Sequence, residues 1–75
     1  LSMPPYIPTG EEMLEETEVL PGNEWVGKTL RELSLPEDRI VVTVLRQGKA
    51  IIPDGSTTIR PGDTLVQYRN RSAAR

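Results

Sequence analysis

The sequence predicts an α+β domain: a mainly antiparallel sheet of about four strands with one short helix packed on it. Three observations predict it. The run Arg39 to Pro53 (RIVVTVLRQGKAIIP) is β-branched and apolar, interrupted at Gln47-Gly48 as a two-residue hairpin requires. The run Thr64 to Arg69 (TLVQYR) alternates and follows the turn signal Arg60-Pro61-Gly62-Asp63. Thr29 and Glu32 stand at capping-box spacing, which marks a helix beginning at Leu30.

Three regions are expected along the chain: a Pro-rich and acidic arm or linker at 1–16, a folded domain at 17–69, and a polar tail at 70–75. Leu1 to Thr9 carries three prolines, each fixing φ and removing a donor, so it reads as extended. Glu11 to Glu16 (EEMLEE) reads as one helical turn around Met13 and Leu14. Thr17 to Leu20 reads as a short strand ending at the Pro21-Gly22 turn, with Val19 inward. Trp25 is a packing residue at the edge of the domain. The helix from Leu30 must be short, because Pro36 disfavours helix at Leu35. Leu30 and Leu33 share one face and should cover the hairpin. Asp54-Gly55 is a turn, and Ser56 to Thr58 a loop or edge strand. Leu65 and Gln67 point one way along the last strand, and Thr64, Val66 and Tyr68 the other.

The hairpin register follows from its two-residue loop: Arg46 faces Lys49, Leu45 faces Ala50, Val44 faces Ile51, Thr43 faces Ile52 and Val42 faces Pro53. Strict alternation puts Ile40, Val42, Val44, Ile51 and Pro53 on one face. Val41, Thr43, Leu45, Ala50 and Ile52 fall on the other. Both faces are apolar, so each is expected to be covered, one by this chain and one by a second copy or a neighbouring domain. A chain of 75 residues without cysteine gains burial most readily by oligomerising.

Composition excludes several classes of function. With no His and no Cys, common zinc sites and the usual nucleophiles and general bases are missing. The glutamates at 11, 12, 15, 16 and 18 lack the shaped loop a hard cation needs, and read as a solvated face rather than a metal site. GNEWVGKT from Gly22 to Thr29 matches the phosphate-loop pattern literally. The short helix and the absence of crossover units set nucleotide hydrolysis aside. Net charge is −2, with eight Glu against Lys28 and Arg31 up to residue 37, and seven basic residues against three Asp beyond it. Complementary charge between halves of one domain accounts for this better than a basic nucleic-acid face, which would add stacking aromatics beyond Tyr6, Trp25 and Tyr68. No apolar run reaches the roughly 18 residues of a membrane helix, and no signal-peptide pattern is present. The chain is therefore expected to be soluble as given. Its opening Leu-Ser-Met fits a piece of something longer.

The order of the pieces resembles a known family. Gly27-Lys28-Thr29-Leu30-Arg31-Glu32-Leu33 matches its helix start and Arg46-Gln47-Gly48 its hairpin. Pro53 stands seven residues after that arginine, and Ile59-Arg60-Pro61-Gly62-Asp63-Thr64-Leu65 matches its last turn and strand. Together these residues resemble the TrkA C-terminal domain, also called the RCK C-terminal domain, over Val19 to about Tyr68. The resemblance implies a regulatory, non-enzymatic role on the cytoplasmic side of a membrane channel or transporter: a potassium or other cation system, an antiporter, or a chloride-channel-type protein. It implies a homodimer that senses a small anionic ligand, such as a nucleotide or cyclic dinucleotide, with no nucleic-acid partner. It places the ligand on Leu35, Arg39, Ile40, Arg46 and Pro53. The face holding Val41, Thr43, Leu45 and Ile52 is then the expected dimer contact. A structural dimerisation module without ligand and a small basic nucleic-acid-binding β module are the alternatives.

Overall fold

The computed structural model describes residues 12–71. The proline-rich part of the arm and residues 72–75 of the tail lie outside them. Strands β1 (Glu12–Glu18), β2 (Arg39–Arg46), β3 (Lys49–Ile51) and β4 (Thr64–Asn70) form one sheet in the order β1-β4-β2-β3, with every pairing antiparallel.

Among the described residues the helix is reduced to a single 3-10 turn, Leu30–Glu32. The capping residues are present and engaged: Glu32 Oε1 accepts from the Thr29 N–H at 2.7 Å and from its hydroxyl at 3.0 Å. The Glu32 N–H also donates to the Thr29 carbonyl at 3.0 Å. Leu33 is already extended, and Pro36 follows too closely for a second turn. One turn cannot offset the cost of helix nucleation, so the turn is held from outside. Leu30 N–H bonds the Thr57 carbonyl and Arg31 N–H that of Gly55, each at 3.0 Å. The fold is thus an antiparallel sheet with an attached turn rather than an α+β pair of layers.

Within EEMLEE, Glu12 to Glu16 are strand rather than helix, and Glu11 lies outside the described residues. Glu12 to Glu18 pair with Asn70 to Thr64, so the sheet takes in residues before Thr17. The reason is non-local: β4 offers a free edge, and Glu15 meets Arg69 in an ion pair at 3.1 Å.

The core is small. Val19, Val44, Ile59 and Leu65 are fully buried, with Trp25, Val26, Leu30, Leu33, Val41 and Ile51 packed against them. The turns follow the sequence reading. Gln47 and Gly48 both have positive φ (51° and 77°), the type I′ hairpin geometry. Gly62, at +88° after Pro61, makes the type II turn. Val44↔Ile51, Leu45↔Ala50 and Arg46↔Lys49 pair as expected. β3 ends at Ile51, so the further pairs Thr43–Ile52 and Val42–Pro53 do not form.

The face assignment of β2 requires a correction. The ladder to β4 shifts between Val41 and Thr43: Val41 faces Gln67 and Thr43 faces Val66. Val42 is the extra residue of a β-bulge, which breaks the period-two alternation. Val41 therefore joins Val44, Leu65 and buried Gln67 on the core face, not Thr43 and Leu45 on the other. The cross-strand rows Leu14–Tyr68–Ile40 and Glu16–Val66–Thr43 lie on the second face. In the single chain that face is open, with Leu14 67% and Ile40 53% exposed.

Asp63 ties these pieces together. It is 1% exposed. Arg46 donates to it through Nε (2.9 Å to Oδ1) and Nη2 (2.8 Å to Oδ2), and the Arg60 N–H adds a third bond at 2.9 Å. Arg46 Nη2 also reaches the Thr58 carbonyl at 2.9 Å. Arg46, with Arg39 on Asp38 and Arg69 on Glu15, shows that much of the basic charge in the second half is compensated within the domain.

Two outcomes test this account. Replacing Val44 with Asp places a charge in the core at a cost of roughly 5 kcal/mol or more, comparable to the whole stability of so short a chain. Circular dichroism should show an unfolded protein. The Arg46 guanidinium, then the Arg60 N–H, hold the Asp63 carboxyl below its ordinary range, against burial that pushes it up. A depressed folded pKa means the stabilisation is complete above the unfolded carboxylate's pKa and lost as pH falls through the folded value. Arg46 keeps 22% of its side chain in water, which moderates the cost of breaking the pair. Asp63→Asn should therefore lose about 2 kcal/mol at neutral pH in urea titrations. The variant should also show a shallower decline in acid than the native domain.

Candidate functional site

A cleft of about 380 Å³ opens where the start of β2 meets the 3-10 turn and the turn after β3. Leu30, Leu35, Ile40, Val41 and Pro53 give it apolar walls; Arg31, Arg39, Asp54 and Gly55 give it a polar rim. Each is placed by local chemistry. Pro36 forces Leu35 into extended backbone, ending the turn so that Leu35 faces β2. Ile40 and Val41, on opposite faces of the strand just before the bulge at Val42, both line the cleft. Pro53, two residues past the end of β3, hands the chain to the turn at residues 54–57, closed by the Thr57 N–H on the Asp54 carbonyl at 3.1 Å.

The charges at the rim are not equivalent. Arg39 donates its Nε to Asp38 at 3.3 Å, a long contact that leaves its terminal NH₂ groups uninvolved. Asp54 Oδ1 accepts from the Ser56 N–H at 2.8 Å and the Ser56 hydroxyl at 2.7 Å. The Ser56 hydroxyl first, then its N–H, with smaller contributions from Thr57 and the Arg31 charge, hold the Asp54 carboxyl below its usual range. Those bonds engage Oδ1 and leave the carboxylate charged at the rim, beside Arg31. The rim presents two guanidinium groups and one carboxylate above an apolar floor, a net positive rim suited to a flat ring bearing an anionic group.

Four of the five expected ligand residues, Leu35, Arg39, Ile40 and Pro53, line this one cleft. Arg46 does not. It lies at the far end of β2, about 23 Å along the strand from Arg39, fixed on Asp63 beside a separate hollow with Gln47, Arg60, Pro61 and Gly62. Of the expected dimer contacts, Thr43 pairs with Val66 and Leu45 with Thr64 on the open face. Ile52 is 95% exposed past the end of β3, and Val41 is turned to the core side. Sequence reasoning did not identify Arg31, Asp54 or Gly55 as rim residues. The one available signal was that Leu30 and Leu33 facing the sheet leave the intervening Arg31 to project from it. Among the described residues no group of three or more carboxylates is placed to hold a metal ion, and no helix is long and apolar enough to cross a membrane.

The family model of the TrkA-C domain matches residues 14–66, which takes in the sheet, the 3-10 turn and the cleft. The chain belongs to the TrkA-C domain family. Curated relatives of this TrkA-C domain include the Trk system potassium uptake protein TrkA of Mycobacterium tuberculosis. It is 36% identical over 58 residues, which are 77% of this chain and 26% of that protein. The Trk system potassium uptake protein TrkA homolog of Archaeoglobus fulgidus is 42% identical over 43 residues, 57% of this chain and 10% of that one. The chain thus spans about a quarter or less of the curated relatives it matches. A solved structure described as "Structure of RCK domain with cda" superposes with a TM-score of 0.67 at 29% identity, over 77% of this chain and 81% of that one. The TrkA-C domain is a regulatory rather than catalytic unit of transport systems, and this one is homologous to part of potassium uptake proteins.

Proposed function

We propose that this TrkA-C domain is a non-enzymatic, cytoplasmic regulatory module of a membrane ion transporter or channel. It senses a small anionic ligand, a nucleotide or cyclic dinucleotide, and works as a homodimer. The observation that carries the reading is the convergence of Leu35, Arg39, Ile40 and Pro53, distant in sequence, on one cleft with guanidinium groups at its rim. The similar RCK domain solved with cda supports a ligand role for such a domain. Potassium is the ion most consistent with the relatives' names.

The dimer belongs to the same reading. Leu14, Ile40 and Tyr68 form an apolar row on the open sheet face, and a second copy laid there would bury area that a chain this short lacks. Ile40 is in that row and in the cleft wall. A ligand in the cleft would therefore touch the edge of the dimer contact. Differential affinity for two dimer arrangements is what a sensor needs to bias its host.

Isothermal titration of the domain with cyclic di-AMP and ATP should show saturable binding to at least one. Arg39→Ala should weaken it roughly tenfold, the worth of one charged hydrogen bond. No binding across both, in a confirmed dimer, would leave a structural dimerisation module as the better reading. Sedimentation velocity should show a dimer at tens of micromolar, on the order typical of modest interfaces. Leu14→Glu, at an exposed position the fold tolerates, should shift it to monomer. A native domain monomeric at every concentration overturns the dimer.

A further inference from the structure

Arg31 and Gly55 meet at the mouth of the cleft. A Cβ built on Gly55 would stand 2.8 Å from Arg31 Nη2, 3.0 Å from Nε and 3.1 Å from Cζ. Three atoms of the guanidinium thus fill the space that any side chain at position 55 would need. Glycine is not required there by the backbone, because the positive-φ glycines are Gly27, Gly48 and Gly62. Glycine at position 55 leaves the guanidinium where it is; a methyl there would displace the flexible end of Arg31.

The rest of the surroundings hold that guanidinium near the cleft, beside the Asp54 carboxylate, which feels its charge without forming a salt bridge with it. Arg31 N–H bonds the Gly55 carbonyl and Leu30 N–H the Thr57 carbonyl, so the base of the side chain is fixed to the opposite rim. The neighbouring carboxylate, Asp54, accepts from Ser56 and Thr57 through Oδ1 alone. Among the described residues no salt bridge engages Arg31, in contrast to Arg39, Arg46 and Arg69. Arg46, the other arginine of the sequence pattern, is committed to Asp63. Arg31 is therefore the cation at this cleft with the most unused hydrogen-bonding capacity.

We propose that Arg31, seated on Gly55, is the specificity-determining residue of the cleft. Its planar fork takes the phosphate oxygens of a phosphorylated ligand, and side-chain-free Gly55 keeps it at the mouth. The inference rests on the ligand-sensing reading and assigns within it a contact that the family pattern of the sequence did not point to. The ligand class follows: a flat ring against Leu35, Ile40 and Pro53, with a phosphate between Arg31 and Arg39, which a fork binds bidentately and an ammonium only as a point charge.

The test is titration of cyclic di-AMP and ATP into the native domain, Arg31→Gln, Arg31→Lys and Gly55→Ala, at two ionic strengths. Arg31→Gln and Gly55→Ala should each weaken binding roughly tenfold or more and flatten its salt dependence, with Arg31→Lys falling between. Thermal melting of Arg31→Gln should match the native domain, since the side chain is exposed; should Gly55→Ala fail to fold, Arg31→Gln decides. Native binding with unchanged affinity in Arg31→Gln overturns the role of Arg31 and leaves the ligand reading standing. A loss that leaves the salt dependence unaltered assigns Arg31 to shape rather than phosphate contact, and equally overturns it. No binding by the native domain removes both.

Discussion

The buried Asp63 carboxylate is the constraint on which the remaining geometry depends. A carboxylate taken out of water is costly unless donors replace the lost solvent. Here Arg46 supplies two and the Arg60 N–H a third. The same residue's main chain accepts from Val19 N–H at 2.7 Å and donates to the Arg60 carbonyl. One residue thus fixes the hairpin end, the turn before β4 and the segment leaving β1. The two middle strands of the sheet, β4 and β2, are locked at this end, and the cleft at the other end of β2 is built on strands that cannot slide.

That commitment also decides which arginines remain for ligand chemistry. Arg46 cannot turn to a ligand without leaving Asp63 buried and unpaired, a penalty larger than one phosphate contact returns. Arg39, held by one long bond to Asp38, carries no such penalty, and Arg31 carries none. The family pattern draws attention to Arg46 because it sits at the hairpin, but in this chain its partner is seventeen residues away in sequence and inside the core.

The turns and the hairpin register were legible because they are local. Gln47-Gly48 and Pro61-Gly62 carry their dihedral requirements in their own side chains, and Leu65 and Gln67 announce a buried face by alternation. The bulge was not legible. The run from Ile40 to Leu45, apolar at every position but Thr43, contains no phase, so nothing in it says where alternation slips. The β-strand at Glu12–Glu18 was hidden for a related reason. EEMLEE has good helix formers, and only pairing with a strand fifty residues later overrides them. The cap at Thr29 and Glu32 was read correctly as chemistry and too generously as length. In the site, Leu35, Arg39, Ile40 and Pro53 could be named from the resemblance. The contact of Arg31 with Gly55 could not, because it joins two turns that local sequence treats as unrelated.

The start of β2, just before that bulge, is where the two halves of the proposed function meet. In a regular strand, Ile40 and Val41 would face opposite sides and only one could line a cleft. Here both line the cleft, at the start of β2 just before the extra residue at Val42, and Ile40 remains in the open row with Tyr68 and Leu14. A ligand pressing on Ile40 moves a residue that belongs to the open face. A second subunit seated on the open face would in turn restrict Ile40. Reciprocity of this kind is required of any coupling between ligand and assembly, and in the proposed dimer Ile40 is the side chain common to both surfaces.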